Sequence, residues 1–131
     1  MTSVVFNGQV VQPRKVVCVG KNYASHIEEM ASVPAENMVV FMKPTTSIGT
    51  ELFAKLDEPL HYESEICLLM QQGRVAGVGF GLDLTKRETQ GKLKAAGLPW
   101  ERSKAFTGSA IFSDFVTAPD TLAQLGVDPL D

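Results

Sequence analysis

The stretch from His61 to Thr85 constrains the fold of this 131-residue chain more than any other. HYESEICLLM is its clearest strand, QQGR a tight turn, and VAGVGFGLDLT a glycine-rich return strand. The neighbouring segments are also extended. VVFNGQVVQ reads as a short hairpin around Asn7-Gly8, ended by Pro13. KVVCVG, Lys15 to Gly20, reads as a continuous apolar strand buried on both faces. VVFMKP is a further strand that Pro44 stops, and SKAFTGSAIFSDFV reads as extended. Two segments carry helical periodicity. Tyr23 to Ala31 can be capped by Ser25, with Glu28 completing a capping box. Lys86 to Ala96 ends at Gly97-Leu98-Pro99. TTSIGTELFAKLDEPL is irregular, and APDTLAQLGVDPLD is loop with one helical turn. With no internal repeat and no low-complexity linker, the expected class is a strand-dominated α+β fold in one domain over residues 1–131.

Bulk properties exclude more than they select. The net charge is -3 and no lysine/arginine block stands out, so a nucleic-acid partner is not expected. The two cysteines, Cys18 and Cys67, each lie in an apolar run and read as reduced, buried thiols in strands. Such sparse usage argues against a disulfide scaffold, and neither spacing suggests a thiolate metal site. No run approaches the roughly 20 apolar residues of a membrane helix. A soluble, cytoplasmic protein without a membrane partner is the expectation.

The chemistry-bearing residues cluster around the long strands. Glu63 and Glu65 are i and i+2, so they share one strand face about 6–7 Å apart. A cation can draw such a pair together; two solvated charges on an edge strand are the alternative. Ile66, Leu68 and Met70 read as a continuing core face beyond them. Asp83 ends the glycine-rich strand and is either a third carboxylate of the same set or a plain helix cap. Three carboxylates would favour a hard cation, Mg²⁺, Mn²⁺ or Ca²⁺, over zinc. His26 and Glu29 share a helix face at an offset of three, where a carboxylate could orient the imidazole as a base; a surface histidine among acidic neighbours is the other reading. His61, the second histidine, caps or packs. Lys43 and Lys104 sit in or beside apolar runs, either exposed on an edge strand or reaching into a site to hold an oxyanion. Gln90 could hydrogen-bond a substrate carboxylate, and Arg87 could serve structure or substrate. Two motifs fail. Gly77, Gly79 and Gly81 form GxGxG without the GxxG continuation of a dinucleotide loop, and Gly20-Lys21-Asn22 lacks the other elements of a phosphate loop.

Taken in order, KVVCVGKNYASHIEEM, VVFMKPTTSI, LHYESEICLLM and GFGLDLTKRETQGKLKAAGLPWERSKAF resemble the signature segments of the fumarylacetoacetate hydrolase family, from about Lys15 to about Phe115. The likeness is to the small prokaryotic and acylpyruvase-like members. The resemblance implies a mixed β-roll and a homodimer. It implies metal ligation by Glu63, Glu65 and Asp83, with Mg²⁺ or Mn²⁺ as cofactor and Ca²⁺ as a crystal substitute. It also implies a water-activating dyad of His26 and Glu29, and substrate contacts from Lys43, Gln90 and Lys104, with Lys104 stabilising charge. The implied activity is hydrolysis of a carbon–carbon bond in a small 2-oxo or 2,4-diketo acid of acylpyruvate or fumarylpyruvate type. Oxaloacetate decarboxylation or isomerisation on the same platform is the alternative, and a non-catalytic dimerising module the reading from another class. Glu88 stands where many relatives carry Asp, and the span between the Glu63/Glu65 strand and Asp83 is short. Relatives normally continue beyond the position of Asp131, so the catalytic domain is expected to be incomplete at this end.

Overall fold

A computed structural model describes residues 2–20 and 39–119. Strands β1 (Val4–Phe6) and β2 (Gln9–Val11) pair around Asn7-Gly8, whose φ values of 50° and 79° are those a two-residue hairpin turn requires. Strands β3 (Val16–Gly20) and β4 (Val39–Lys43) form an antiparallel ribbon with Val16 opposite Lys43. A 3₁₀ turn over Thr45–Ser47 leads into β5 (Ile48–Gly49). The dominant element is the hairpin of β6 (His61–Gln71) and β7 (Arg74–Thr85), turned at Gln72-Gly73 with φ of 51° and 75°. Helices α1 (Arg87–Ala96) and α2 (Glu101–Lys104) follow, then β8 (Ala110–Phe112) and β9 (Val116–Thr117). The largest sheet runs β5-β8-β7-β6, with β9 also paired to β7 and only β5–β8 parallel. This strand-dominated, mixed architecture is the expected α+β class. No helix among the described residues is long and apolar enough to cross a membrane.

The long hairpin is not regular throughout. Next to the turn, Met70 pairs with Val75; one step on, Leu69 pairs with Gly77, so Ala76 is an extra residue on β7. Such a bulge shifts the register by one, and a one-residue shift exchanges the faces of a strand. Beyond it, Glu63 lies opposite Asp83 and Glu65 opposite Gly81. Had the pairing next to the turn continued unbroken, Leu82 would face Glu63.

The inner face of the hairpin divides into an apolar end and a polar end. Near the turn, Val4, Leu69 and Phe115 form the buried core, with Phe6, Val11, Cys67 and Phe112 packed against it. The first hairpin is tied there by Asn7 N–H to Phe115 O (3.0 Å) and Phe115 N–H to Val5 O (2.7 Å). The glycines of β7 serve this packing. A Cβ on Gly81 would lie 2.7 Å from Cys67 Sγ, and one on Gly77 3.0 Å from the Phe6 ring. The GxGxG run is therefore a contact surface for strands and rings.

Two expectations change. Ile66, Leu68 and Met70 do not form the core face: all three are exposed, Ile66 by 62%, as is Phe80 opposite it by 68%. The carboxylates instead share their face with Cys67 and Leu69, as strict alternation demands. Strand β3 is not buried on both faces. Val17 and Val19 are exposed while Val16 and Cys18 turn inward, because the two-stranded ribbon covers only one side. The start of the segment expected to be extended, Ser103 and Lys104, instead belongs to the helical turn α2. Both cysteines are free and only partly buried.

Gly81→Ala should lower stability by about 1–3 kcal/mol, the usual cost of overpacking. Adding Cys67→Ala should return part of that loss, as measured by urea unfolding of the single and double variants.

Candidate metal centre

Asp83 is the hub of the polar end. It lies on β7 rather than at the helix start, where Lys86 holds the cap position, so the plain-cap alternative does not apply. Its carboxylate is 8% exposed and meets two lysines. Lys43 Nζ is 2.6 Å from Oδ1, and Lys104 Nζ is 3.0 Å from Oδ2. Lys104 also donates to Thr85 Oγ1 at 2.7 Å and sits 5.0 Å over the Phe41 ring. Lys43, only 1% exposed, donates to Leu84 O (3.1 Å) and Ser109 O (2.7 Å). Burial pushes the Lys43 ammonium below its ordinary value, and the adjacent Asp83 pulls it back up.

Local sequence explains these placements. Lys43 ends β4 on the face of Phe41, and Pro44 stops the strand there. Lys104 ends α2, whose turn is tightened by Ser103 Oγ donating to Trp100 O at 2.7 Å. Ser109 Oγ in turn donates to Lys104 O at 2.9 Å. Leu84 N–H to Ser109 O (2.9 Å) and Lys86 N–H to Ser103 O (3.0 Å) anchor this loop to β7 and the start of α1.

Glu63, Glu65 and Asp83 converge, with one oxygen from each lying within 4.8 Å of the others. Around an octahedral Mg²⁺ or Mn²⁺ at about 2.1 Å, adjacent ligand oxygens are about 3 Å apart and opposite ones about 4 Å. A small inward movement would therefore suffice. Asp83 Oδ1 is buried, with Lys43 Nζ at 2.6 Å as its ion-pair partner. An all-oxygen anionic donor set fits a hard divalent cation. Glu63 Oε1 is also held by Arg87 at 3.0 Å.

Gln90, on α1, is 6% exposed. Cys18 lies within electrostatic reach of the cluster. Burial first, then Asp83, raises its thiol to about 11, and burial does the same for Cys67, so neither is an activated nucleophile at neutral pH. A groove of about 370 Å³ between β4 and residues 97–101 reaches Lys104, with Phe41, Leu98 and Trp100 in its walls. His26 and Glu29 lie outside the described residues. His61 is exposed at the start of β6, opposite Thr85.

Thr85, Glu58 and the Arg87–Glu63 pair were not foreseen. Thr85 could have been found, because it is i+2 from Asp83 and so shares its face. The other two depend on loop and helix placement that no spacing encodes.

Known proteins share this arrangement's framework. The family model described as fumarylacetoacetate (FAA) hydrolase C-terminal matches residues 15–128. The chain belongs to the fumarylacetoacetate hydrolase family. It is 42% identical over 122 residues to oxaloacetate tautomerase YcgM of Escherichia coli (strain K12), covering 81% of this chain and 55% of that protein. It is 37% identical over 118 residues to the mitochondrial oxaloacetate tautomerase FAHD1 of Rattus norvegicus, covering 79% and 53%. Among solved structures, fumarylpyruvate hydrolase from Pseudomonas aeruginosa in complex with Mn²⁺ and pyruvate aligns with a TM-score of 0.79 at 32% identity, covering 88% of this chain and 59% of that one. The chain thus spans just over half the length of the relatives it matches.

Lys43→Met should destabilise the fold by about 3–5 kcal/mol, because it removes one of the two cations beside a buried carboxylate and a donor to two carbonyls. Lys43→Met combined with Asp83→Asn should recover part of this, as read by chemical denaturation.

Proposed function

We propose that the protein acts as a divalent-metal-dependent enzyme on small enolisable 2-oxo acids, with keto–enol tautomerisation of oxaloacetate as its leading reaction. The observation that carries this reading is the three-carboxylate cluster backed by two buried lysines. The identity to two oxaloacetate tautomerases supports the choice of substrate.

Glu63, Glu65 and Asp83 would hold the ion. A bound Mg²⁺ or Mn²⁺ would supply Lewis-acid polarisation of a 2-oxo carboxylate. The chain's own residues do the rest. Lys43 has its donors committed to Asp83 and two carbonyls, so it fixes the Asp83 carboxylate rather than reaching for a ligand. Lys104 donates to Asp83 Oδ2 at 3.0 Å, from where it would steady an enolate oxygen. Gln90 offers a buried amide to the substrate's carboxylate. His26, oriented by Glu29, is the base that removes the proton next to the carbonyl, and returning a proton to the enolate oxygen completes the tautomerisation.

Hydrolysis of a fumarylpyruvate-type diketo acid is the second reading, favoured by the structural likeness to the Mn²⁺–pyruvate-bound hydrolase. It uses the same enolate as the leaving group, with His26 taking its proton from water instead of from carbon.

The test combines binding and turnover. Mn²⁺ titrated calorimetrically should bind the wild type, and Glu65→Ala should weaken that binding at least about tenfold. Unchanged affinity would remove Glu65 from the site. The whole protein should accelerate oxaloacetate enol-to-keto conversion with Mg²⁺ and lose this with EDTA. Turnover of fumarylpyruvate in its place would select the second reading. His26→Ala should abolish turnover while leaving Mn²⁺ affinity unchanged, and an active variant would remove His26 from its role.

A further inference from the structure

Helix α1 begins without a cap of its own. Lys86 holds the N-cap position, and its side chain makes no capping hydrogen bond. The start of the helix is satisfied from elsewhere in the chain. Glu58, in the loop between β5 and β6, accepts a hydrogen bond from Thr89 N–H at 3.3 Å and another from Thr89 Oγ1 at 2.6 Å. One residue earlier, Asp57 Oδ1 pairs with Lys86 Nζ at 3.0 Å. A carboxylate on the third residue of a helix both occupies an otherwise orphaned N–H and complements the positive end of the helix dipole.

The loop that supplies these groups is closed on itself. Leu56 N–H donates to Glu58 O at 3.1 Å, Leu60 N–H donates to Ala54 O at 2.9 Å, and Lys55 bridges to Pro59. Leu60 is buried, which pins the loop immediately before β6 begins. Glu58 is thus held on a stiff support, joined to the strand that carries Glu63 and Glu65.

What the cap fixes is the part of α1 that faces the carboxylates. Arg87, its first residue, holds Glu63 Oε1 at 3.0 Å. Gln90, one turn on, is a buried residue of the same helix. That first turn is also held by Gln90 N–H to Lys86 O (2.8 Å), by Lys86 N–H to Ser103 O (3.0 Å) and by the Asp57–Lys86 pair, whose Asp57 is exposed, so that the pair contributes little. Thr89, which receives Glu58, lies between the two functional positions.

We propose that Glu58 is a positioning residue: by capping α1 through Thr89 it sets where Arg87 and Gln90 present their polar groups to the 2-oxo acid. This rests on the metal-dependent 2-oxo acid reading above and names a determinant of how that site binds its organic ligand. The three carboxylates are placed by the β6–β7 ladder, and the cap reaches only one of them, Glu63, and only through Arg87, so the organic ligand should respond to its loss more than the metal does.

The experiment titrates Mn²⁺ into the wild type, Glu58→Ala, Glu58→Gln and Thr89→Val, then titrates pyruvate into each Mn²⁺-saturated protein. Mn²⁺ affinity should stay within about twofold of wild type throughout, while Glu58→Ala weakens pyruvate binding about fivefold or more, the scale of a lost cap. Glu58→Gln, which keeps an acceptor, and Thr89→Val, which keeps the N–H bond, should each fall between Glu58→Ala and wild type. Pyruvate affinity equal in Glu58→Ala and wild type would overturn the positioning role. So would a parallel loss of Mn²⁺ and pyruvate binding with a lowered Tm, which marks a general structural effect. A wild type that takes up no Mn²⁺ would overturn the metal-centre reading itself, a failure seen before any substitution is made.

Discussion

Everything in the carboxylate cluster depends on the register of one hairpin. Gln72-Gly73 starts the pairing, and Ala76 then adds a residue to β7. Because strand side chains alternate, this single insertion decides whether position 83 or position 82 stands opposite Glu63. With the bulge, an aspartate meets two glutamates on one face; without it, a leucine would. The same shift lines up Gly77, Gly79 and Gly81 beneath the rings and sulfur they accommodate. The geometry of the polar end and the packing of the apolar end are therefore set together, about 20 Å apart on the scale of six strand residues.

Bringing three carboxylates together is unfavourable unless cations answer them. Asp83, the most buried of the three, is answered by Lys43 and Lys104, and Glu63 by Arg87. The two lysines are not equivalent. Lys43 is enclosed, and two backbone carbonyls share its ammonium, so it behaves as part of the frame. Lys104 approaches from a short helix, its ammonium over an aromatic face and beside a groove. A buried charge pair contributes little net stability against an apolar alternative, so its value here is in fixing where the carboxylate points.

Much of this was legible in the sequence, and the limits have physical causes. The i, i+2 spacing of Glu63 and Glu65 encodes a shared face, and the Asn7-Gly8, Gln72-Gly73 and Gly97 positions encode turns or a helix end because they need positive φ. Asp83 was visible as a candidate third carboxylate, but the residues alone left it open between that and a helix cap, since the bulge that aligns it leaves no mark in VAGVGFGLDLT beyond small residues. The inward direction of β6 was misread. Ile66, Leu68 and Met70 are more apolar than the face carrying Glu63, Glu65, Cys67 and Leu69, and hydrophobicity alone selects the wrong side. Alternation fixes which residues share a face; only the neighbouring strands fix which face is covered. Lys43 and Lys104 could be read as edge lysines or as site lysines, because an apolar flank is common to both.

The polar end also shows why such a site can sit inside a small fold. Thr85, Ser103 and Ser109 are fully buried, and each has its hydroxyl in a hydrogen bond: Thr85 receives Lys104, Ser103 donates to Trp100 O, and Ser109 donates to Lys104 O. A buried polar network is stabilising only when its members are satisfied, and an unsatisfied one is costly. Here the satisfied groups surround the Asp83 carboxylate, with Oδ1 2.6 Å from Lys43 Nζ and Oδ2 accepting from Lys104 at 3.0 Å. A fold that satisfies its buried serines and threonine while holding two ammonium groups against one carboxylate concentrates its electrostatics at Asp83, the residue toward which the bulge, the ribbon carrying Lys43 and the turn carrying Lys104 all converge.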